Sequence, residues 1–218
     1  MRKLILMAAA FAAMAQVRIP GPGGASAAAA SSLTFVNANS VAGCNGGSPA
    51  CSLTLPGVPL GAQLVVFTAS TTTSVTGTLG ETFTLKRTIT TGGHNSAWVS
   101  TTTTSSGTDT ITNNGGYSVM EVVAYSSATG YDNSAANGTG TANTGPITLS
   151  VPGTAGDIAV AWMNGPITSP VGSACGPMTL RLNDGNVVFD AAMVSSSYSL
   201  SCTIGYSSSW GAIGVSLK

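Results

Sequence analysis

The side chains that could do chemistry are few and scattered. One histidine, seven carboxylates and three tryptophans are the groups from which a site would have to be built. A general base near neutral pH is most often a histidine. His94 stands in Thr91-Gly92-Gly93-His94-Asn95, a turn between two strand-like runs, and this serine-rich chain contains no Gly-x-Ser-x-Gly elbow. It reads as a solvated turn residue. Glu121 is less ordinary. In the run Tyr117 to Tyr125 it shares a side with Val119 and Val123, while Met120, Val122 and Ala124 make the other side apolar as well. That places a carboxylate on a covered strand, where desolvation raises its pKa. Glycoside hydrolysis needs a second carboxylate across a cleft, and Asp109, Asp157 and Glu81 are the candidates. The simpler expectation is a structural tie. No catalytic residues are assigned, and the chain is read as non-enzymatic.

Binding chemistry has four candidates. Trp210, in the apparent turn Tyr206-Ser207-Ser208-Ser209-Trp210-Gly211, and Tyr131, in a long Ser/Ala/Gly/Asn/Thr-rich join, are the rings that could stack on a sugar, although core or edge packing is the simpler expectation for rings of this size. Asp132 and Asn133 beside Tyr131 supply polar contacts. Trp162 shares an alternating face with Ile158 and Val160 and is expected in the core. Asp132-Asn133 and Asp184-Gly185-Asn186 invite a calcium reading, but neither reaches the carboxylate density of such a loop, and turn chemistry accounts for both. No metal and no cofactor is expected.

The cysteines, Cys44, Cys51, Cys175 and Cys202, are even in number, as in exported disulfide-bonded chains. Three connectivities are open, and proximity favours Cys44 with Cys51 and Cys175 with Cys202. Zinc is disfavoured, because there is no Cys-x-x-Cys pair and His94 is remote. The N-terminus reads Met1-Arg2-Lys3, then an apolar run to Ala15 ending in Ala13-Met14-Ala15, the pattern of a signal peptide over residues 1–15. Ala25-Ser26-Ala27 gives a later possible cut, and 16–32 reads as a flexible linker. Beyond residue 15, five basic face seven acidic residues, and the basic ones never cluster beyond Lys86-Arg87. Nucleic acid is therefore not an expected partner, and no membrane span is expected in the mature chain.

After the leader, helical periodicity is absent, and short alternating runs recur between Gly, Pro, Asn and Ser. Leu200, Cys202, Ile204 and Tyr206 alternate with small polar residues, as do Ile213, Val215 and Leu217, so each run is expected to bury one face and wet the other. Asp184-Gly185 predicts a type I′ hairpin. An echo runs through the chain. Leu53-Thr54-Leu55 and Gln63 to Phe67 recur as Ile147-Thr148-Leu149 and Asp157 to Ala161 at an offset of 94 residues, Phe83 to Lys86 as Met178 to Arg181 at 95, and Thr110-Ile111 as Thr203-Ile204 at 93. The expectation is an all-β, jelly-roll-like antiparallel β-sandwich with two pseudo-repeated halves, each of about five strands forming one sheet pair, in a single domain over 33–218. Ser126 to Pro146 is expected as a strandless join, either a functional loop or a mobile one.

In order, Thr78 to Leu85, Ser106 to Thr112, Glu121 to Ser126 and Gly156 to Val160 resemble the Ser/Thr/Gly-rich β-sandwich modules of secreted bacterial surface proteins and some phage structural proteins. The resemblance covers roughly 33–218. It implies a non-catalytic sandwich for surface adhesion or extracellular assembly. Ala62-Gln63 departs from the acidic Gly-Asp turn of such modules, and the Cys175 and Cys202 pair is not one of their features. The expected role is thus a secreted or cell-surface adhesion or assembly module. The alternatives are a virion tail or decoration component and a carbohydrate-binding module. With so few like charges to hold copies apart, self-association or a larger assembly is expected, with a glycan as the other candidate partner.

Overall fold

The structure, a computed structural model, describes residues 33–218 except 45–49, 70, 92, 116–117, 144, 166–174, 177, 204 and 206. Side chains at 43–44, 118, 139–143 and 208 also lie outside the description. The proposed leader and linker, residues 1–32, fall outside it as well.

Every element among the described residues is a strand. The first half runs β1 (Thr34–Cys44), β2 (Cys51–Val58), β3 (Gln63–Ala69), β4 (Thr72–Thr76), β5 (Phe83–Ile89), β6 (Asn95–Ser100), β7 (Gly107–Gly115) and β8 (Ser118–Ser126). The second runs β9 (Tyr131–Asn143), β10 (Ile147–Pro152), β11 (Ile158–Asn164), β12 (Thr179–Asn183), β13 (Val187–Ala192), β14 (Ser197–Cys202) and β15 (Ser208–Leu217). The halves thus hold eight and seven described strands rather than about five each.

Their topology repeats. The first half forms an antiparallel sheet β1-β8-β3-β6-β5 faced by a small sheet β2-β7-β4. The second forms β9-β15-β11-β13-β12 faced by β10-β14. Strand for strand, β1, β2, β3, β5, β6, β7 and β8 correspond to β9, β10, β11, β12, β13, β14 and β15. The registers refine the sequence offsets. Ile111 opposes Leu53 as Cys202 opposes Ile147, so Ile111 corresponds to Cys202 and not to Ile204. Likewise Phe67 corresponds to Trp162, since Val65 and Val160 take equivalent places beside Val123 and Val215.

Three cores follow from this arrangement. Leu55, Leu64, Val66, Ile111 and Met120 fill the first sandwich, and Leu149, Val151, Met163, Phe189 and Trp210 fill the second. The third lies between the two five-stranded sheets, where Val65, Phe67, Val123 and Tyr125 meet Val160, Trp162, Ile213 and Val215. β1 lies over β12 and β5 over β9, so the halves are related by an approximate twofold axis. On that axis the equivalent rings of Phe67 and Trp162 stack, with centroids 6.1 Å apart and planes 9° from parallel.

Two expectations change, the first because the large sheets are buried on both faces. Ala212, Gly214 and Ser216, expected on a wet face of β15, are buried. They face the small sheet of the second half, and a Cβ on Gly214 would sit 2.6 Å from Val151 Cγ2. Small residues on one face therefore mark a close sheet-to-sheet approach, not solvent. The second change is the join. Tyr131–Asn143 is a 13-residue strand at the edge of its sheet, paired with β15. Its asparagines serve it: Asn133 and Asn137 Oδ1 accept from the next backbone N–H, and Asn137 Nδ2 donates to Thr148 O at 2.9 Å. Asn39 on β1 does the same, donating to the equivalent Thr54 O at 2.7 Å. These bonds lash each edge strand to its small sheet.

The Asp184-Gly185-Asn186 hairpin is present, but its loop has three residues, with Gly185 at φ +110°. Only Gly185 takes positive φ there, so this is not the two-residue type I′ turn, which needs it twice. Cys175 and Cys202 are disulfide-bonded. On the loop-entropy account this link contributes about 3.6 kcal/mol. Cys51 is disulfide-bonded as well, and the side chain of Cys44 lies outside the described residues.

Replacing the axial ring should show how far the halves depend on each other. Trp162→Ala is expected to cost about 3–5 kcal/mol, as for other buried aromatics, measured by urea denaturation. A loss below ~1 kcal/mol would mean that the central core is not a main source of stability.

Candidate functional site

The bulges on β5 and β12 build two equivalent stations at opposite ends of the central core. Each five-stranded sheet has a register shift at the same place, between Leu85 and Arg87 and between Leu180 and Leu182. The extra residue is cationic both times, Lys86 and Arg181. Each reaches across to an aromatic ring of the other half. Arg181 lies 4.1 Å over Phe35, and Lys86 Nζ lies 4.6 Å from the ring centroid of Tyr131. Phe35 and Tyr131 are themselves equivalent, opposing Tyr125 and Leu217.

The two stations then diverge. At the first, Arg181 Nε donates to Asp190 Oδ2 at 2.8 Å, and Tyr125 Oη donates to the same oxygen at 2.8 Å. Burial, then the charge of Asp190, push the Tyr125 phenol well above its ordinary pKa, so it remains a donor. This station is closed. At the second, Val99 stands where Asp190 stands, Leu217 where Tyr125 stands, and Gln63 where Ile158 stands. Among the described residues Arg181–Asp190 is the one ion pair, and Lys86 borders a groove of about 390 Å³. Thr84, Ser100, Thr101, Thr102 and Thr129 are among the residues that line it, and no Asp or Glu does.

The remaining six carboxylates neighbour one another in three pairs. Glu121 faces Asp184 across the interface between the halves. It is fully buried, and neither oxygen has a hydrogen-bond partner. Desolvation and then the Asp184 charge raise its pKa to about 8, against the nearby indole of Trp162 and amide of Asn186, which lower it. Its position corresponds to Ile213 in the second half, which is why it sits in an apolar layer. Glu81 lies beside Asp109, and burial, then that neighbour, raise it to about 7 against the lowering influence of nearby backbone N–H groups, although neither oxygen has a hydrogen-bond partner. Its carboxylate occupies the space where Gly77 lacks a Cβ: such an atom would lie 1.4 Å from Glu81 Oε1. Asp157 adjoins Asp132 and is raised chiefly by burial, although Thr154 N donates to it at 2.8 Å and Lys218 opposes the shift.

The sequence-derived candidates are separated. Trp210 is 5% exposed, in β15 and not a turn, and packs in the second sandwich core. The core packing expected for this ring is what the structure shows, and no exposed platform is available there. It lies seven positions along β15 from the partner of Tyr131, roughly 23 Å at the usual strand rise, and on the opposite face. Tyr131 lines the groove. Asp132 turns the other way, accepting from Thr154 Oγ1, and Asn133 is exposed. His94 is exposed on the β5–β6 turn and is not part of the one ion pair among the described residues. Lys86 and Gln63 were missed as site residues; the signal was the Lys86 to Arg181 match at offset 95, which marks both bulges. Among the described residues no three His, Cys, Asp or Glu side chains converge as metal ligands, and no helix is long and apolar enough to cross a membrane. The chain matches no protein-family model, no curated protein and no solved structure.

Carboxylates with raised pKa bind protons more tightly folded than unfolded, so their ionisation destabilises the fold. Stability should be greatest below about pH 4.5 with respect to these groups and fall as pH rises through about 7 and 8. We expect a higher melting temperature at pH 4.5 than at pH 8.5. Glu121→Gln should remove much of the difference, worth roughly 3–5 kcal/mol between those limits. A pH-independent melting temperature, or an unchanged pH profile in Glu121→Gln, would refute the assignment.

Proposed function

We propose that this chain is an exported, non-catalytic β-sandwich module that works in surface adhesion or extracellular assembly. The observation that carries the reading is the disposition of its charges. All seven carboxylates lie beside one another in pairs or bind Arg181, and the one histidine is exposed on a turn. What remains toward solvent is a hydroxyl- and amide-rich skin over three apolar cores, suited to presentation and contact rather than turnover. The likeness to Ser/Thr/Gly-rich modules of surface and phage structural proteins and the leader-type N-terminus support the same role.

Strand edges favour self-association as part of that role. An edge presents unpaired backbone donors and acceptors, and few charges oppose pairing. The full-length protein, purified after export, should form dimers or larger species at high concentration by light scattering. Microspheres coated with it should be retained on cell or polysaccharide surfaces several-fold above albumin-coated controls. Strict monomers together with retention no better than albumin would overturn the proposal.

A further inference from the structure

The closed station records what the open one lacks. Arg181 is satisfied by a carboxylate oxygen that also accepts from a hydroxyl, on top of an aromatic ring. Lys86 has the ring, but Val99 and Leu217 have replaced both the carboxylate and the hydroxyl. In their place is a groove whose volume falls within the range of small-ligand sites. Gln63 adds a second, independent sign. It is 4% exposed and lines the groove; Nε2 donates to Ser100 O at 2.8 Å, while Oε1 has no donor. Oε1 itself is closed off from solvent, so Gln63 marks a polar wall of the groove rather than a direct ligand contact.

We infer that the groove between β5, β6 and the start of β9 is a binding site for a sugar acid, with the ligand carboxylate on Lys86 and the ligand hydroxyls on the threonines that line the groove. The ligand carboxylate takes the part that Asp190 plays at the closed station. The ligand hydroxyls exchange bonds with Thr84, Thr101 and Thr102. Tyr131 is a positioning residue: its ring carries the Lys86 ammonium, and its hydroxyl donates to Ser134 Oγ at 3.0 Å, which anchors it. The inference deepens the adhesion reading by naming the chemistry of the surface recognised, and it rests on that reading only for its biological setting.

The test is an NMR titration of the full-length protein with sodium glucuronate, glucose, acetate and a tri-uronate. Glucuronate should shift amides of residues 84–86 and 101–102 saturably in the millimolar range or tighter, at least tenfold more tightly than glucose or acetate. Tighter binding of the tri-uronate would assign the groove to an acidic polysaccharide, and equal binding to a sugar-acid terminus. Lys86→Gln should weaken glucuronate binding at least tenfold and Lys86→Arg should retain it. Val99→Asp, which restores an internal carboxylate, should close the site; should that variant not fold, Lys86→Gln decides. Equal binding of acetate and glucuronate, equal binding of glucose, no saturable shifts, or undiminished binding by Lys86→Gln would each overturn the inference. Microspheres still retained on surfaces after such a failure would leave the adhesion reading standing.

Discussion

The packing of the two five-stranded sheets against each other is the constraint on which the rest depends. Each sheet already covers a sandwich core with one face, so the central contact makes it apolar on both. A sheet in that position has no polar side to give to water. Its strands must be continuous runs such as Val65 to Phe67 and Val122 to Tyr125 rather than alternations, and where a neighbouring layer comes close they must thin to Ala or Gly. Polar function is thereby pushed to the rims, where the bulges, turns and edge strands are.

The same constraint explains the scarcity of ions. A charge in a stack of this depth must be paired or neutral, since isolated burial costs far more than a single contact returns. Arg181, Asp190 and Tyr125 form one satisfied set at the rim. Glu121 takes the second course, its apolar surroundings and Asp184 together favouring the protonated acid. Five of the seven carboxylates, Glu81, Asp109, Glu121, Asp157 and Asp190, are buried, which leaves the surface rich in hydroxyls and poor in ions.

Much of this was legible in the residues. Alternation and turn residues give the strand class, the offset near 94 gives the duplication, and the mixed neighbours of Glu121 give its burial. What misled was composition read without partners. Tyr131 to Asn143 carries almost no large apolar side chain, so propensity alone makes it a loop; it is a strand because β15 supplies the backbone pairing and its asparagines bond locally. Trp210 sits among serines, so it reads as a turn residue, yet it lies within β15 and packs in the second sandwich core. Both errors have one source. Burial is decided by which sheet lies opposite, and periodicity within one strand carries no record of that.

Internal symmetry supplies a comparison that a single copy cannot. Where equivalent positions keep their residue type, as Thr84 and Thr179 or Leu85 and Leu180 do, packing or folding is sufficient reason. Where they differ, the fold itself tolerates both choices, so neither is required by it. Asp190 and Val99 are such a pair, as are Tyr125 and Leu217, and Ile158 and Gln63. All three differences fall around one cation, and together they exchange an internal carboxylate for open, hydroxylated space. Glu121 against Ile213 is a further difference, placed at the Asp184 side of the interface and not at this lysine. What sets the Lys86 rim apart is therefore not that it differs, but that three neighbouring differences there exchange one closed ion-pair set for open space.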